Sequence, residues 1–301
     1  MDRAWLRGFA LVAGLAPALA AADDRPPEGF RASVERLIRD AGAGSVAVAY
    51  RDLATGEEML VGPDEVFHAA STMKVAVMAE VYRQAEAGTL ALDETLLIKN
   101  EFTSLADGSK YTLDPADDSE LALYKRVGRR ATVAELTRLM ITESSNLATN
   151  LLIERVGVAK ADGFMKALGA PGVRVVRGVE DTPAYRRGMN NTTTARGLMR
   201  LLTLIADRAV VSAGASDAML AALLGQKSKE GIPAGLPPGT PVAHKTGSFR
   251  GVYHDAAIVR PEGRRPYVLV VLTRGLLDES KAHRLVAEIA RAAHARATSP
   301  P

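Results

Sequence analysis

The stretch Ser71-Thr-Met-Lys-Val-Ala-Val-Met-Ala-Glu-Val-Tyr-Arg-Gln-Ala-Glu-Ala87, followed by Gly88, decides the fold. It predicts a helix over 71–87 that stops at the glycine. Ser71 then sits at the helix start, after Phe67-His-Ala-Ala70, where its own N–H and the helix dipole can stabilise an oxyanion. Lys74 lies three residues on, on the same helix face. A serine hydroxyl needs a base to attack an acyl carbon, and a desolvated lysine beside a second cation is such a base. Alone, Ser-x-x-Lys is expected about once by chance in a chain of this size. It fits an N-cap serine with an exposed lysine equally well.

Outward from this helix, residues 28–40 form an amphipathic segment with Val34, Leu37 and Ile38 on one side. Val46–Tyr50 and Glu57–Val61 have strand character around a turn at Ala54-Thr-Gly56. Thr132-x-x-Glu135 is a capping-box pattern, and helices are expected over 146–156, 159–168, 194–206 and 217–224. Strands follow at 242–245, 253–260 and 266–273, then a last helix over 278–297. Adjacent strands with short turns imply an α/β (α+β) fold: a five-stranded antiparallel sheet flanked by the terminal helices, with an inserted all-helical lobe. The α/β lobe is expected over about 28–70 and 207–298, the helical lobe over about 71–206. The polar stretch 99–130, acidic from Asp107 to Glu120 and basic from Lys125 to Arg130, reads as a solvated insertion.

Two more motifs carry chemistry. Ser144-Ser-Asn146 falls between two expected helices, on a connection that can face a cleft. A hydroxyl there can relay a proton to a leaving nitrogen, and the Asn146 amide can hold a substrate amide. Plain helix capping is compatible with both roles. Lys245-Thr-Gly-Ser248 lies at an expected strand end. Lys245 and Thr246 offer a cation and a hydroxyl to a substrate carboxylate, with Arg250 as a further candidate. Gly247 permits close approach of a ligand to the backbone, and the Ser248 N–H is a second oxyanion donor.

The 301 residues, 47% hydrophobic and 24% charged, suffice for a substantial core. Arg3 and Arg7 precede an apolar run from Phe9 to Ala20 that ends in small-x-small patterns, so residues 1–22 read as a secretory signal peptide ahead of one catalytic domain, 23–301. Its removal takes the formal charge from +3 to +2, with no basic tract for nucleic acid. With no cysteine, a lipoprotein, a thiol enzyme and a Cys-ligated zinc site are excluded. No Gly-x-Ser-x-Gly, P-loop or His-Glu-x-x-His is present. His283 and His294 share a helix without a carboxylate pattern, and His68 and His244 flank the proposed centre as packing residues. No metal or cofactor is expected, no stable membrane insertion after signal cleavage, and a monomer.

The order Ser71-x-x-Lys74, Ser144-x-Asn146, Lys245-Thr-Gly247 resembles the class A (serine) β-lactamases and related penicillin-recognising hydrolases. The likeness extends through Ile141–Leu152 and Ala243–Ser248. It implies an α/β lobe and a helical lobe with the site between them, acylation of Ser71 by a β-lactam, and hydrolysis in the periplasm or outside the cell. It also implies a deacylating glutamate on an Ω-shaped loop, which by position is Glu180 in Arg177-Gly-Val-Glu-Asp181. The family loop usually runs Glu-x-x-x-Asn, whereas here the fourth residue on is Ala184. Asn190 or Asn191 is then the candidate to hold the water, and an ion pair with Arg177, Arg186 or Arg187 is the competing role for Glu180. Ser145 also stands where the family usually has Asp. Two other activities share these motifs: a D-alanyl-D-alanine carboxypeptidase or related esterase, and a non-hydrolytic β-lactam or peptidoglycan sensor.

Overall fold

Tyr267-Val-Leu-Val-Val-Leu272 is an unbroken apolar run, the pattern of a strand covered on both faces. The computed structural model describes residues 29–299, so the signal expected over 1–22 lies outside the described residues. In chain order come α1 (Phe30–Ala41), β1 (Ser45–Asp52), β2 (Glu58–Val61), α2 (Lys74–Glu86), α3 (Val133–Thr142), α4 (Asn146–Val156) and α5 (Val158–Ala167). After them come α6 (Ala195–Ala206), α7 (Ala213–Leu224), β3 (Val242–Phe249), β4 (Val252–Val259), β5 (Tyr267–Arg274) and α8 (Glu279–Thr298). The strands form one antiparallel sheet in the order β2-β1-β5-β4-β3.

Strand alternation divides the core in two. Val46, Val48, Tyr50, Ala257, Val259, Tyr267, Leu269 and Val271 face the terminal helices α1 and α8. Ala47, Ala49, Ala256, Ile258, Val268, Val270 and Leu272 join the larger core beneath α2 to α7. Helix α2 is buried on every side from Lys74 to Val81, with α3, α4, α5 and α7 packed around it. A helix buried all round in this way is the centre of a core. Its one early acid, Glu80, is buried and satisfied by Arg83 and Gln84 at 2.7 Å.

Two sequence expectations are corrected. The helix does not begin at Ser71: residues Ala70–Met73 form a 3-10 turn, entered through Ala70 at φ 45°, and the α-helix proper begins at Lys74. The strand does not end at Lys245 either. It runs to Phe249, because the two-residue turn Arg250-Gly251, with φ 43° and 77°, has the positive-φ pair that joins antiparallel strands tightly.

Residues 99–130 are mostly exposed, as expected of a solvated insertion, but the segment is anchored at a few buried points. Short strands at Phe102–Thr103 and Lys110–Tyr111 pair with each other, and Phe102, Ser104, Leu113, Asp118 and Leu123 are buried. Some of its charges are engaged: Asp114, Asp118 and Glu120 accept from backbone N–H groups, and Lys99 and Arg126 pair with Glu154 and Glu135. We call this segment the strap.

The capping box is half realised. Thr132 caps α3 by accepting from the Glu135 N–H at 3.1 Å, while the Glu135 carboxylate turns outward to Arg126. Thr132→Ala should therefore cost about 1 kcal/mol and lower the thermal midpoint by about 2–4 °C, measured by thermal unfolding.

Candidate active site

The 3-10 turn holds Ser71 half-exposed, and its hydroxyl has no hydrogen-bond partner among the described residues. It opens on a cavity of about 710 Å³ that is also lined by Asn146, Glu180 and Ser248. One turn further on, Lys74 is fully buried. Its Nζ reaches the Ser144 carbonyl at 2.6 Å, the Asn146 Oδ1 at 2.8 Å and the Ser144 hydroxyl at 3.2 Å.

Lys245 approaches the same hydroxyl from β3, at 3.0 Å, and donates to the Thr246 carbonyl at 2.9 Å. Two ammonium groups thus converge on one oxygen in a desolvated place. Burial lowers the Lys74 pKa well below an ordinary lysine's, and the Lys245 charge lowers it further. Burial lowers Lys245 to about 7, opposed by Asp255. Ser144 itself is held at φ 60°, an uncommon conformation for a residue with a side chain.

Asn146 joins Lys74 to the loop. Its amide NH2 donates to Glu180 Oε1 and to the Asp117 carbonyl, both at 3.2 Å. Glu180, at φ 60°, also accepts from the Asp114 N–H at 3.0 Å. Burial raises the Glu180 pKa, and these two hydrogen bonds oppose the rise. The ion-pair role for Glu180 is not realised, Asn191 is engaged elsewhere, and the Asn190 Oδ1 is buried without a partner among the described residues. Glu180 has no ion pair among the described residues, and Arg187 pairs with Asp107 instead. Asn191 is committed to backbone: its Oδ1 accepts from Val176 and Arg177, and its amide donates to the Arg177 carbonyl.

Gly247 brings β3 against the Ser71 turn. A Cβ there would lie 2.9 Å from the Ser71 nitrogen and 3.1 Å from the Ala70 Cβ, so no other residue fits without displacement. Thr246 and Gly247 border a smaller depression of about 140 Å³, with Ser228, Tyr253 and His283, which meets the main cavity at Ser248. Arg250 is on the main cavity's rim.

Residues 29–297 match the Beta-lactamase enzyme family. The chain belongs to that family. β-Lactamase CTX-M-8 of Citrobacter amalonaticus is 30% identical over 267 residues, spanning 87% of this chain and 85% of its own. The crystal structure of a β-lactamase from Sphaerobacter thermophilus aligns with a TM-score of 0.77 at 27% identity, over 89% of this chain and 98% of its own. An ancestral class A β-lactamase aligns with a TM-score of 0.76 at 27% identity, over 89% and 100%. The family is the class A serine β-lactamases expected from the three motifs.

The departures from the family pattern have structural answers. Ser145 caps α4 by accepting from the Ala148 N–H at 3.2 Å. A carboxylate from the strap also reaches the start of α4: Asp118, buried, accepts from the Leu147 N–H at 2.9 Å and the Tyr124 hydroxyl at 3.0 Å. Asn150, one turn beyond Asn146, clamps the loop by accepting from the Val179 N–H at 2.7 Å and donating to its carbonyl at 2.9 Å. Asp181 ties the loop to the strap through the Ser104 hydroxyl and the Leu105 N–H.

The sequence reading missed Asp118, Asn150 and Asp181. For Asn150 a signal existed, since it lies four residues from Asn146 on one helix face. His244, by contrast, keeps its packing role, buried against Asp255 at 2.9 Å on β4. His283 and His294 have separate partners, Glu230 and Tyr267.

Asp118→Ala should cost about 2 kcal/mol or more, because it leaves the buried Leu147 N–H and the Tyr124 hydroxyl without an acceptor. The urea midpoint measures this.

Proposed function

We propose that the chain is an exported, metal-independent serine β-lactamase, acting as a monomer in the periplasm or outside the cell. Ser71 Oγ attacks the lactam carbonyl carbon, and its proton passes to Lys74. The Ser71 and Ser248 N–H groups hold the oxyanion. The C–N bond breaks as Ser144 gives its proton to the ring nitrogen and recovers one from Lys74. Glu180 then takes a proton from a water that attacks the ester, and that proton passes to Ser71 Oγ as the ester C–O bond breaks, releasing the ring-opened acid and restoring both groups. Lys245 and Thr246, beside Ser248, hold the substrate carboxylate, and Asn146 faces its amide.

The observation that carries this reading is the Asn146 amide, which accepts from Lys74 at one end and donates to Glu180 at the other. It ties the acylation and deacylation groups into one network. The lysine geometry supports the Ser144 leg of the proton route. A neutral Lys74 has two hydrogens for the Ser144 carbonyl and Asn146 Oδ1, which turns its lone pair to the Ser144 hydroxyl. Charged Lys245 donates to that same oxygen. Among the described residues no helix is long and apolar enough to cross a membrane.

Hydrolysis of a chromogenic cephalosporin, followed with intact-mass measurement, tests the function. Steady turnover is expected, with Ser71→Ala forming no adduct and Glu180→Gln accumulating one on Ser71. Unchanged turnover in Glu180→Gln removes that residue from deacylation. A long-lived adduct in the native protein indicates a sensor, and cleavage of a D-Ala-D-Ala peptide with neither adduct nor turnover indicates a peptidase.

The pH profile has two expected limbs. Glu180 must be ionised to act as a base, so kcat falls on acidification through a pKa above the ordinary glutamate value of about 4.3. Lys245 must be charged to hold a carboxylate, so kcat/KM falls as pH rises through about 7. Lys245→Arg should move that alkaline limb upward, because a guanidinium keeps its proton.

A further inference from the structure

Arg177 is a buried guanidinium without a carboxylate. It is 6% exposed, and no acidic side chain pairs with it among the described residues. Asp181, four residues on, accepts instead from the Ser104 hydroxyl and from the Leu105 and Ala184 N–H groups. Asp181 acts on the guanidinium only through space, and a buried charge without a hydrogen-bonded counter-charge is costly, so its retention calls for an explanation.

Its donors are also unspent. Nη1 donates to the Gly178 carbonyl at 2.9 Å, but Nε is buried with no partner. Nη2 lies 3.2 Å from His68 Nε2. That nitrogen is not free to accept. His68 Nδ1 already accepts the Ala70 N–H at 3.1 Å, so a neutral ring carries its proton on Nε2. The ring is held neutral by burial and by the Arg177 charge, which lower its pKa to about 4. Two donors therefore face each other with no protein acceptor between them.

The surroundings are those of a subsite. The Tyr185 ring covers the guanidinium at 5.5 Å, and Phe249 stacks on His68 at 4.8 Å. All four side chains line the cavity that holds Ser71. The other acids on that wall are accounted for: Glu180 and Asp181 have their donors, and Asp117 is exposed. Lys245 is elsewhere, bonded to Ser144 and flanked by the depression beyond Ser248.

We propose that Arg177 and His68 form a second anion subsite, which takes a carboxylate borne on the acylamino side chain of the substrate. The ring carboxylate of a penicillin and its acylamino group lie on opposite sides of the reacting carbonyl. With the ring carboxylate at Lys245, the side chain enters the cavity toward Tyr185 and Phe249. An aryl group fits those rings, and a carboxylate oxygen accepts from both Arg177 Nη2 and His68 Nε2. This assignment rests on the β-lactamase reading for the substrate's orientation, although the anion site itself does not.

Two measurements test it. The first is kcat/KM for carbenicillin, which carries an α-carboxylate on its phenylacetyl side chain, relative to benzylpenicillin, which lacks it. That ratio should fall about tenfold or more in Arg177→Met and in His68→Phe, as expected for the loss of a charged hydrogen bond. Equal losses for both penicillins, leaving the ratio unchanged, overturn the proposal and mark Arg177 as a loop support only. The second is calorimetric binding of phenylmalonate monoamide against phenylacetamide. The anionic amide should bind more tightly to the native protein, with the advantage lost in both variants. Equal binding of the two amides, or an advantage that survives in the variants, overturns it. If Arg177→Met does not fold, His68→Phe carries both comparisons. If no β-lactam is hydrolysed but the anionic amide is still preferred through Arg177, the hydrolase reading fails and the anion subsite stands.

Discussion

Two lysine ammonium groups, Lys74 and Lys245, are buried within about 3 Å of one serine hydroxyl, and the rest of the structure serves that arrangement. Like charges in a poorly solvated place cannot both be kept cheaply, so one lysine is driven toward its neutral form. Lys74 is driven well below an ordinary lysine's proton affinity, since it is buried at the start of α2 and faces the Lys245 charge. A lysine without its proton at neutral pH is a base, which an exposed lysine is not. The lowered proton affinity of Lys74 thus derives from packing.

Bringing the lysines together requires an unusual closeness of helix and sheet. Lys74 is on the first turn of the central helix and Lys245 in the middle of an edge strand, with Ser144 between them on a connection of the helical region. Gly247 makes this possible, because any side chain would press against the Ser71 and Thr72 backbone nitrogens. The left-handed backbones of Ala70, Ser144 and Glu180 lie at the three places where the chain turns into the site. Strain of that kind persists only where the surroundings over-determine it. Here the restraints are the Lys74 contacts, the Asn150 clamp and the Asp181 tie to the strap.

The strap changes how the family's pattern should be read. Where the motif lacks its usual acid, Asp118 reaches the same helix end from another part of the chain. Where the loop lacks its usual asparagine, Asn146 and the Asp114 N–H hold Glu180. A residue's chemical contribution is kept while its address in the sequence moves. The buried Arg177 stands apart, since no carboxylate hydrogen-bonds to it among the described residues and Asp181 acts on it only through space.

Much was legible in the sequence. The order of helices and strands follows from local periodicity and turn residues, which act over a few positions and need no distant partner. The strands of the sheet, its terminal helices and the cap at Thr132 are of this kind. The three motifs were legible because their residue types are rare in that order. What only the tertiary structure decided is which groups meet. Asp118 and Leu147, Asn150 and Val179, Arg177 and His68 are far apart in sequence and have no local signature. Their hydrogen bonds, and the shifted proton affinities of Lys74, Lys245 and Glu180, depend on burial and on neighbours that the folded chain alone supplies.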